Sequence, residues 1–391
     1  NATQVEQHFG SDVATWTATY DNFDRRVSMS DRNGVAITQG YDPNHNRTSR
    51  TGPEGQTQFT FNALNQLIEL KPPTLPPPVP TPQTTFTVSP AGRLAGMNHS
   101  NGTKVEVDRD TVGRVTAIRH LLGSTALLAL SYTLDANGNR TEEVWDRDGD
   151  RHQITYEYDG ADRLSAITSD GQRVQYVLDP VGNRLSESTG AQTKTHEYDH
   201  RNRLTISKVN GTTVETLNYD DAGRQIERIA AGVSTTYQYS ASDRLVGVSI
   251  NGAEQVRYQY DAFGQRSGRT AAGQFEAYQF DGTKLAGRTN AVGNSLGDYQ
   301  HAYSWPISSR ENGERTLLHP DTHGTPQLIT TATGAIAGWT RTDIWGEEQA
   351  QSGTQTRIGY TGYLKDPLID ELYAQARQYR PGTGRFTTVD E

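Results

Sequence analysis

The sequence contains no cysteine and few aliphatic side chains. The lack of cysteine excludes disulfide bridges and thiolate metal sites. Hydrophobic residues make up only 33% of the 391 positions, too few to fill a thick aliphatic core. The 19 tyrosines, by contrast, each bring a large apolar area and can cover a thin sheet. We therefore expect an all-β shell or solenoid rather than a solid globule.

Long runs of apolar or basic residues are also missing. The longest apolar run, residues 121–130, is interrupted by Gly123, Ser124 and Thr125 and is shorter than the roughly 20 residues that cross a bilayer. The net charge is −9 and there is no basic stripe, which argues against a nucleic-acid partner. The sequence begins at Asn1 without a methionine or a signal-type segment. We expect no membrane span, no nucleic acid, and a processed product or an internal piece of a longer protein.

A tyrosine–aspartate phrase recurs along the chain at a nearly fixed interval. Its fullest copy runs from Tyr258 to Arg266 with the sequence YQYDAFGQR. From Tyr198 onward the marker aromatic recurs after 21, 20, 21 and 20 residues, ending at Phe280. Such a period indicates a repeat architecture. The residues to which we assign structural roles in the repeat are Tyr20, Asp21, Tyr41, Asp42, Tyr158, Asp159, Arg163, Tyr198, Asp199, Arg203, Tyr219, Asp220, Gly223, Arg224, Tyr239, Arg244, Tyr260, Asp261, Gly264 and Arg266.

The pattern within each repeat predicts two strands joined by tight turns. Tyr237 and Tyr239 alternate with polar residues, the period-2 signature of a strand with two unlike faces. An Asp-x-x-Gly-Arg turn follows the aromatic in the repeat, as at residues 220–224, where Asp bonds its own backbone and Gly accepts a positive φ. Asn-Gly pairs at 101–102, 210–211 and 251–252 predict hairpins. We expect an antiparallel hairpin sheet with tyrosine rings stacked along one face and arginines tying adjacent turns together.

The period fades after Phe280, and this change divides the chain. Residues 1–285 form the predicted repeat array, and residues 286–391 form a differently built region that caps the sheet. A proline-rich stretch at 71–82 interrupts the array. Because proline removes ladder donors, this stretch predicts an extended or polyproline II surface loop, with a partner-docking segment as the alternative.

Candidate chemistry is limited to two clusters of ligand-type side chains, namely Asp146, Asp148, Asp150 and Glu157 in one and His319, Asp321 and His323 in the other. The first is similar to a calcium loop but has arginine where that loop requires glycine. The second alternates as on one face of a strand and could bind zinc. Polar turns are the competing interpretation for both. Since no nucleophile–base pair and no phosphate loop is present, we predict no enzyme activity, no cofactor and no metal beyond these weak candidates.

The repeats and the C-terminal region together resemble the Rhs family. The Tyr-Asp phrases resemble its YD repeats, which occur in the B and C components of insecticidal ABC toxin complexes and in teneurins. Residues 319–328, 343–347, 360–363 and 372–386 are similar to the phrases of the Rhs repeat-associated core. The core-signature residues that this resemblance identifies are His319, Asp321, Gly324, Pro326, Trp345, Gly346, Gly362, Tyr373, Arg377, Tyr379, Pro381, Gly384, Arg385 and Phe386.

The resemblance implies a particular fold and a limit on its chemistry. In that family a YD-repeat hairpin sheet spirals into a hollow β-shell, or cocoon, and we expect part of such a shell here, capped by the C-terminal core. Asp390 aligns with the first Asp of an aspartyl autoprotease that a full-length parent could carry. The second Asp motif and the variable C-terminal domain are absent, so this chain should be inert. Arg380, Trp345 and Glu391 depart from the usual Asp, Phe and Pro.

The resemblance also implies a function. We expect a structural shell segment of a secreted, extracellular bacterial protein that encapsulates a C-terminal toxin or effector cargo until delivery. Its partners would be that cargo polypeptide or secretion machinery, and no secretion signal lies in this sequence. An extracellular teneurin-like adhesion or filament-forming surface protein is the alternative, because open sheet edges can pair between molecules and promote self-association.

Overall fold

A computed structural model describes residues 4–9, 12–30, 34–74, 83–311 and 313–388. The described chain consists of β-strands joined by tight turns, with two single-turn 3₁₀ segments. The first strands are β1 (Gln4–Phe9), β2 (Asp12–Tyr20), β3 (Arg26–Ser30), β4 (Ala36–Tyr41), β5 (Arg47–Gly52), β6 (Gly55–Phe61), β7 (Leu67–Lys71), β8 (Thr84–Val88), β9 (Leu94–His99) and β10 (Thr103–Arg109). They are followed by β11 (Val115–Leu122), β12 (Thr125–Leu134), β13 (Arg140–Arg147), β14 (Asp150–Tyr158), β15 (Leu164–Ser169), β16 (Gln172–Leu178), β17 (Arg184–Ser188), β18 (Thr193–Tyr198), β19 (Leu204–Val209), β20 (Thr212–Tyr219), β21 (Gln225–Ala230), β22 (Val233–Tyr239) and β23 (Leu245–Ile250).

The remaining elements complete the chain. They are β24 (Ala253–Tyr260), β25 (Arg266–Ala271), β26 (Gln274–Asp281), β27 (Lys284–Asn290), β28 (Ser295–Ala302), β29 (Trp305–Glu311), β30 (Glu314–Pro320), β31 (Pro326–Thr331), β32 (Ile336–Thr342), β33 (Glu348–Gly353), η1 (Tyr360–Gly362), β34 (Leu364–Lys365), β35 (Leu372–Ala374), β36 (Arg377–Arg380), η2 (Pro381–Thr383) and β37 (Arg385–Phe386). In the part of the chain that the structure describes, no helix is long and apolar enough to cross a membrane.

Consecutive strands pair antiparallel in the order of the chain. Pairing runs through β1 to β10, through β11 to β23 and through β24 to β33. Strands β34 to β37 form a small separate sheet. The predicted all-β fold of antiparallel hairpins is therefore confirmed. Hairpins continue past residue 285 as far as Gly353. The division of the chain into two regions at residue 285 stays a prediction.

The Asp turns have one backbone geometry in copy after copy. In the copy at 199–203, the Asp199 amide donates to the Arg203 carbonyl at 3.0 Å, and the Asn202 amide donates to the Asp199 carbonyl at 3.0 Å. Asn202 has a φ of 61°, and the equivalent residue in the next copy is Gly223 with a φ of 88°. The strand register shifts at Tyr198, just before the turn. These features define a type I turn closed by a bulge, which needs a residue that tolerates positive φ at its fourth position.

The opposite ends of the hairpins use a different turn. Asn210 and Gly211 have φ values of 48° and 83°, and Asn251 and Gly252 have values of 49° and 80°. Two consecutive positive φ angles define a type I′ turn, as Asn-Gly predicts. The hairpin at 101–102 is also present, but only Gly102 has a positive φ there, so its turn is of another type.

The strands divide into two compact units, each of which contains fully buried apolar side chains. Residues 1–106 and 257–385 form the first unit, and residues 107–256 and 386–391 form the second. Leu70, Ile307 and Leu328 are fully buried in the first unit, and Ile118 and Leu128 in the second. The proline-rich stretch starts in β7 and continues through the buried Pro72 and Pro73, and its residues 75–82 lie outside the described residues.

Candidate functional site: turn clasps and a docked C-terminal segment

In the copies where an arginine follows the turn aspartate by four residues, that arginine ties the turn to the next one. Arg203 Nε donates to Asp199 Oδ2 at 2.6 Å, and Arg203 Nη1 donates to the Asp220 carbonyl of the next turn at 3.1 Å. The guanidinium carbon also lies 4.8 Å from the centroid of the Tyr219 ring. One side chain thereby fixes the spacing of two hairpins, and we call this arrangement the turn clasp. The pair of bonds, to the turn's own aspartate and to the next turn's carbonyl, recurs at Arg25, Arg114, Arg163 and Arg224.

The repeat tyrosine adds a second link between hairpins. The Tyr219 hydroxyl donates to the carbonyl of Leu204, in the return strand of the preceding copy, at 2.8 Å. Equivalent bonds of 2.7 to 3.1 Å start from the hydroxyls of Tyr41, Tyr158, Tyr198 and Tyr239. Tyrosine and arginine thus both act across the boundary between two hairpins. Their assignment to structural roles stays a prediction that substitution can test.

Ionisation of the turn aspartates supports the clasp. The side-chain hydrogen bond from Arg163, together with backbone N–H donors, lowers the pKa of Asp159 to about 2. At Asp220 burial opposes ionisation, but hydrogen bonds from the Arg224 main chain and guanidinium outweigh it and lower the pKa. The copy at Arg244 differs, because Ser240 supplies the acceptor for its amide in place of an aspartate.

Arg266 occupies a different place from the clasp arginines, which corrects the expectation that it ties turns together. It follows Asp261 by five residues, and Gln265 takes the clasp position and donates to the Gly282 carbonyl at 2.9 Å. The Arg266 guanidinium is buried, with its central carbon 3.7 Å from the centroid of the Tyr258 ring and 4.1 Å from that of Tyr373. A shift of one residue along the strand turns the side chain to the other face. The Arg266 side chain therefore packs among buried aromatic rings and does not link neighbouring turns.

The segment 356–385, which we call the docked segment, packs on β24 and β25. The Arg266 amide donates to the Tyr373 hydroxyl at 2.9 Å. Asp366 accepts two hydrogen bonds from Arg269, from Nε at 2.8 Å and from Nη2 at 3.1 Å, and one from the Tyr258 hydroxyl at 2.7 Å. Burial favours the neutral Asp366 carboxyl, but the bonds and charge of Arg269 outweigh it, so the pKa of Asp366 lies below its usual value. This buried bidentate pair anchors the docked segment.

A second anchor joins the docked segment to the turn at 343–347. The Tyr379 hydroxyl donates to the Trp345 carbonyl at 2.7 Å, and the Tyr360 hydroxyl donates to the Ile344 carbonyl at 2.9 Å. The two tyrosine rings stack with centroids 5.8 Å apart. Gly346 lies directly against the Tyr360 ring, where a Cβ atom would overlap it. The glycine of this signature therefore permits the close approach of the ring.

Arg380, which stands where the family usually has aspartate, forms an ion pair with Glu371. Arg380 Nη2 bonds Glu371 Oε1 at 2.7 Å, and both side chains are buried. The arginine that stands in place of the usual aspartate is thus neutralised within the docked segment.

The other core-signature residues lie around these anchors. Asp321 Oδ1 accepts the amides of His323 and Thr325 in the turn between β30 and β31. His319 and Pro326 flank this turn on β30 and β31, Gly324 lies within it with a φ of 87°, and Gly362 is close to the Gly324 carbonyl. Farther along, Arg377 begins β36, Pro381 begins η2, Gly384 follows it beside the Trp345 ring, and Arg385 and Phe386 form β37.

The two sequence-predicted metal clusters have other partners. Glu157 pairs with Arg173, and Asp146 Oδ1 accepts the Gly149 amide at 3.2 Å. His319 Nε2 lies 2.9 Å from the Thr330 hydroxyl. Among the described residues, no group of three or more histidine or acidic side chains could hold a metal ion. Asp390, the predicted first residue of an autoprotease, lies outside the described residues.

Sequence reasoning missed Arg269, Asp366 and Glu371. Asp366 is 97 residues from Arg269, and nothing local distinguishes it from an exposed turn aspartate. Only knowledge of the partner could have identified it.

Comparison with known proteins places this fold in a family. The family model named teneurin YD-shell matches residues 85–391 of this chain. The tRNA3(Ser)-specific nuclease WapA of Bacillus spizizenii is 29% identical over 268 residues, which are 67% of this chain and 10% of the nuclease. A crystal structure of TcdB2-TccC3-Cdc42 is similar over 97% of this chain and 20% of that one, with 16% identity and a TM-score of 0.59. A structure of TcdB2-TccC3-TEV has 14% identity and a TM-score of 0.47, over 96% of this chain and 26% of that one.

The chain therefore spans about a tenth of the nuclease and a fifth of the first structure. The structural likeness shows a shared fold and nothing more. The family match covers more than half of the chain and confirms the resemblance found in the sequence. This chain belongs to the Rhs/YD-repeat family as a teneurin-type YD-shell segment, and its role is structural.

Proposed function

We propose that the chain is a wall segment in the shell of a secreted bacterial YD-repeat protein, and that the complete shell encloses a C-terminal toxin or effector polypeptide until delivery. The observation that carries this proposal is the double link between neighbouring hairpins. The turn clasp and the tyrosine hydroxyl bond join copies that the strand ladder already pairs. A wall that must stay closed around a cargo needs such redundancy, because edge-to-edge ladders open locally at little cost.

The match to WapA supports a longer protein in which the wall and the enzymatic activity lie in different parts of the chain. WapA is named as a nuclease, and this chain matches only a tenth of it. We infer that the wall isolates a toxic activity located elsewhere in such a protein. The mechanism is physical enclosure, the partners are the cargo polypeptide or secretion machinery, and the place of action is extracellular.

Protease protection of the cargo tests this proposal. The complete protein that contains this chain is treated with a broad protease, beside the polypeptide that follows the shell expressed alone. We expect the C-terminal polypeptide to survive only in the complete protein. Asp199→Ala with Asp220→Ala, which removes two adjacent clasps, should restore digestion, whereas the exposed neighbour Asp221→Ala should not. Equal digestion with and without the wall would overturn the proposal, and concentration-dependent polymers without protection would favour the adhesion or filament function.

A further inference from the structure

Two segments distant in sequence meet through side chains inside the first unit. Arg47 donates to both oxygens of Asp281 at 2.6 and 2.5 Å. The Tyr303 hydroxyl donates to the Leu67 carbonyl at 2.6 Å. Further hydrogen bonds join Thr57 to Gln300 and Asn101 to Thr331. We call this contact, between residues 47–71 and 84–101 on one side and residues 281–311 and 313–331 on the other, the seam.

Two histidines face each other across the seam. The rings of His99 on β9 and His319 on β30 have centroids 5.8 Å apart at an angle of 82°. Both side chains are buried. His99 Nδ1 lies 2.8 Å from the Thr84 hydroxyl, and His319 Nε2 lies 2.9 Å from the Thr330 hydroxyl. His99 is therefore held by a neutral hydroxyl group, which carries no charge to balance a proton on the ring.

His99 has no means of accommodating a proton in place. Its second nitrogen, Nε2, is buried without a hydrogen-bond partner among the described residues. Burial lowers the pKa of His99 to about 4. The titratable group that faces it is His319, which would add repulsion if both rings were protonated.

A third histidine lies next to the ion pair of the seam. His301 Nε2 lies 2.8 Å from the Leu285 carbonyl, and its Nδ1 is buried without a partner among the described residues. Burial lowers the pKa of His301 to about 4, the Lys284 charge acts in the same direction, and the Asp281 carboxylate opposes it. Asp281 is itself paired with Arg47, which limits this opposition.

We propose that the seam is an acid-labile closure, in which protonation of His99 and His301 parts the two segments as the surroundings become acidic. A histidine whose pKa is lowered on folding contributes stability above pH 6.5, and this contribution is lost as the pH falls toward about 4. Between neutral pH and about pH 5, this linkage shifts the equilibrium toward the open seam by roughly tenfold or more for each of His99 and His301. The inference concerns the wall itself and holds whether or not a cargo lies behind it.

Distance measurement across the seam tests the closure. Because the chain has no cysteine, nitroxide labels can be placed cleanly at the exposed positions Asn98→Cys and Ala335→Cys. Pulsed electron paramagnetic resonance at pH values from about 7.5 to 4.5 should show one distance at neutral pH. A longer population should appear with a midpoint between about 5 and 6.5 and disappear on return to neutral pH. If no longer population appears by about pH 4.5, the proposal is wrong.

Matched histidine variants assign the transition. His99→Asn keeps an amide where Nδ1 meets Thr84 and should lower the midpoint by at least about one pH unit, because it cannot be protonated. The exposed His200→Asn should leave the midpoint unchanged. Equal midpoints for His99→Asn and the unmodified chain would overturn the proposal. Should His99→Asn fail to fold, hydrogen exchange of the unmodified chain decides: β9 and β30 must lose protection at acid pH before β14 does, and simultaneous loss would refute the closure.

Discussion

Asp366 and Arg269 form a bidentate ion pair in which the two side chains are only 4% and 7% exposed. Asp366→Ala should destabilise the first unit by about 3 to 5 kcal/mol, because the guanidinium stays buried without its counter-charge. Urea unfolding followed by circular dichroism measures this loss.

An exposed pair with the same geometry is the control for that variant. Arg119 bonds both oxygens of Asp108, and the two side chains are 37% and 48% exposed. Asp108→Ala should cost no more than about 1 kcal/mol. Equal losses for the two variants would show that the buried pair has no special part in holding the docked segment.

Two adjacent aspartates, Asp220 and Asp221, differ in that only the side chain of Asp220 takes part in the turn clasp. Asp220 accepts the Arg224 amide at 2.9 Å and the Arg224 Nε at 2.6 Å, whereas Asp221 contributes only its backbone carbonyl, to Arg201. Asp220→Ala should therefore cost about 1 to 2 kcal/mol, and Asp221→Ala almost nothing. The midpoints of urea unfolding measure the difference. If both variants unfold at the same urea concentration, the clasp does not stabilise the hairpins.

The sequence allowed the local geometry to be predicted because its causes lie within a few residues. Asp-x-x-Gly and Asn-Gly determine their own turns, and the 20-residue period determines the neighbour of each hairpin. The period fades after Phe280 although the hairpins continue, because β27 and β31 are buried along almost their whole length and lose the alternation of polar and apolar residues. The docked segment and the seam could not be predicted, because Arg269 and Asp366, or His99 and His319, have no local feature that identifies the partner.

Adding a Cβ atom at Gly346 tests how closely the docked segment packs on the turn at 343–347. Its φ is 89°, and a Cβ atom there would overlap the Tyr360 ring. Gly182 has a nearly equal φ of 92° with open space around it, so Gly182→Ala should carry only the backbone strain of about 1 kcal/mol. Gly346→Ala should cost at least about 2 kcal/mol more, because the ring must move.

Truncation of the ring is the check on that explanation. Tyr360→Ala should remove most of the difference between Gly346→Ala and Gly182→Ala when the variants are compared by thermal unfolding. A difference that persists without the ring would mean that the backbone, and not the contact with Tyr360, causes the loss.

The same substitution should have opposite effects at two turn aspartates. Burial raises the pKa of Asp343 to about 6, although its Oδ1 accepts the amides of Trp345 at 2.8 Å and Glu347 at 2.9 Å. A raised pKa contributes stability below the unfolded value of about 3.8, and this contribution is lost as the pH rises through about 6. Asp343→Asn keeps a side-chain oxygen that can accept the two backbone amides, but it removes the charge. At about pH 7.5 this variant should therefore stabilise the protein by roughly 1 to 3 kcal/mol.

Asp220→Asn is the matched opposite, because the pKa of Asp220 is lowered and its charge bonds Arg224. At about pH 7.5 this variant should destabilise the protein, and its loss should shrink as the pH falls from the unfolded value of about 3.8 through the lower folded pKa, where the unmodified carboxylate becomes protonated. The gain from Asp343→Asn should shrink between about pH 6 and 4. Urea midpoints at several pH values measure both. Destabilisation by Asp343→Asn at neutral pH would show that its carboxylate, despite burial, is needed in the charged form to hold the turn on which the docked segment rests.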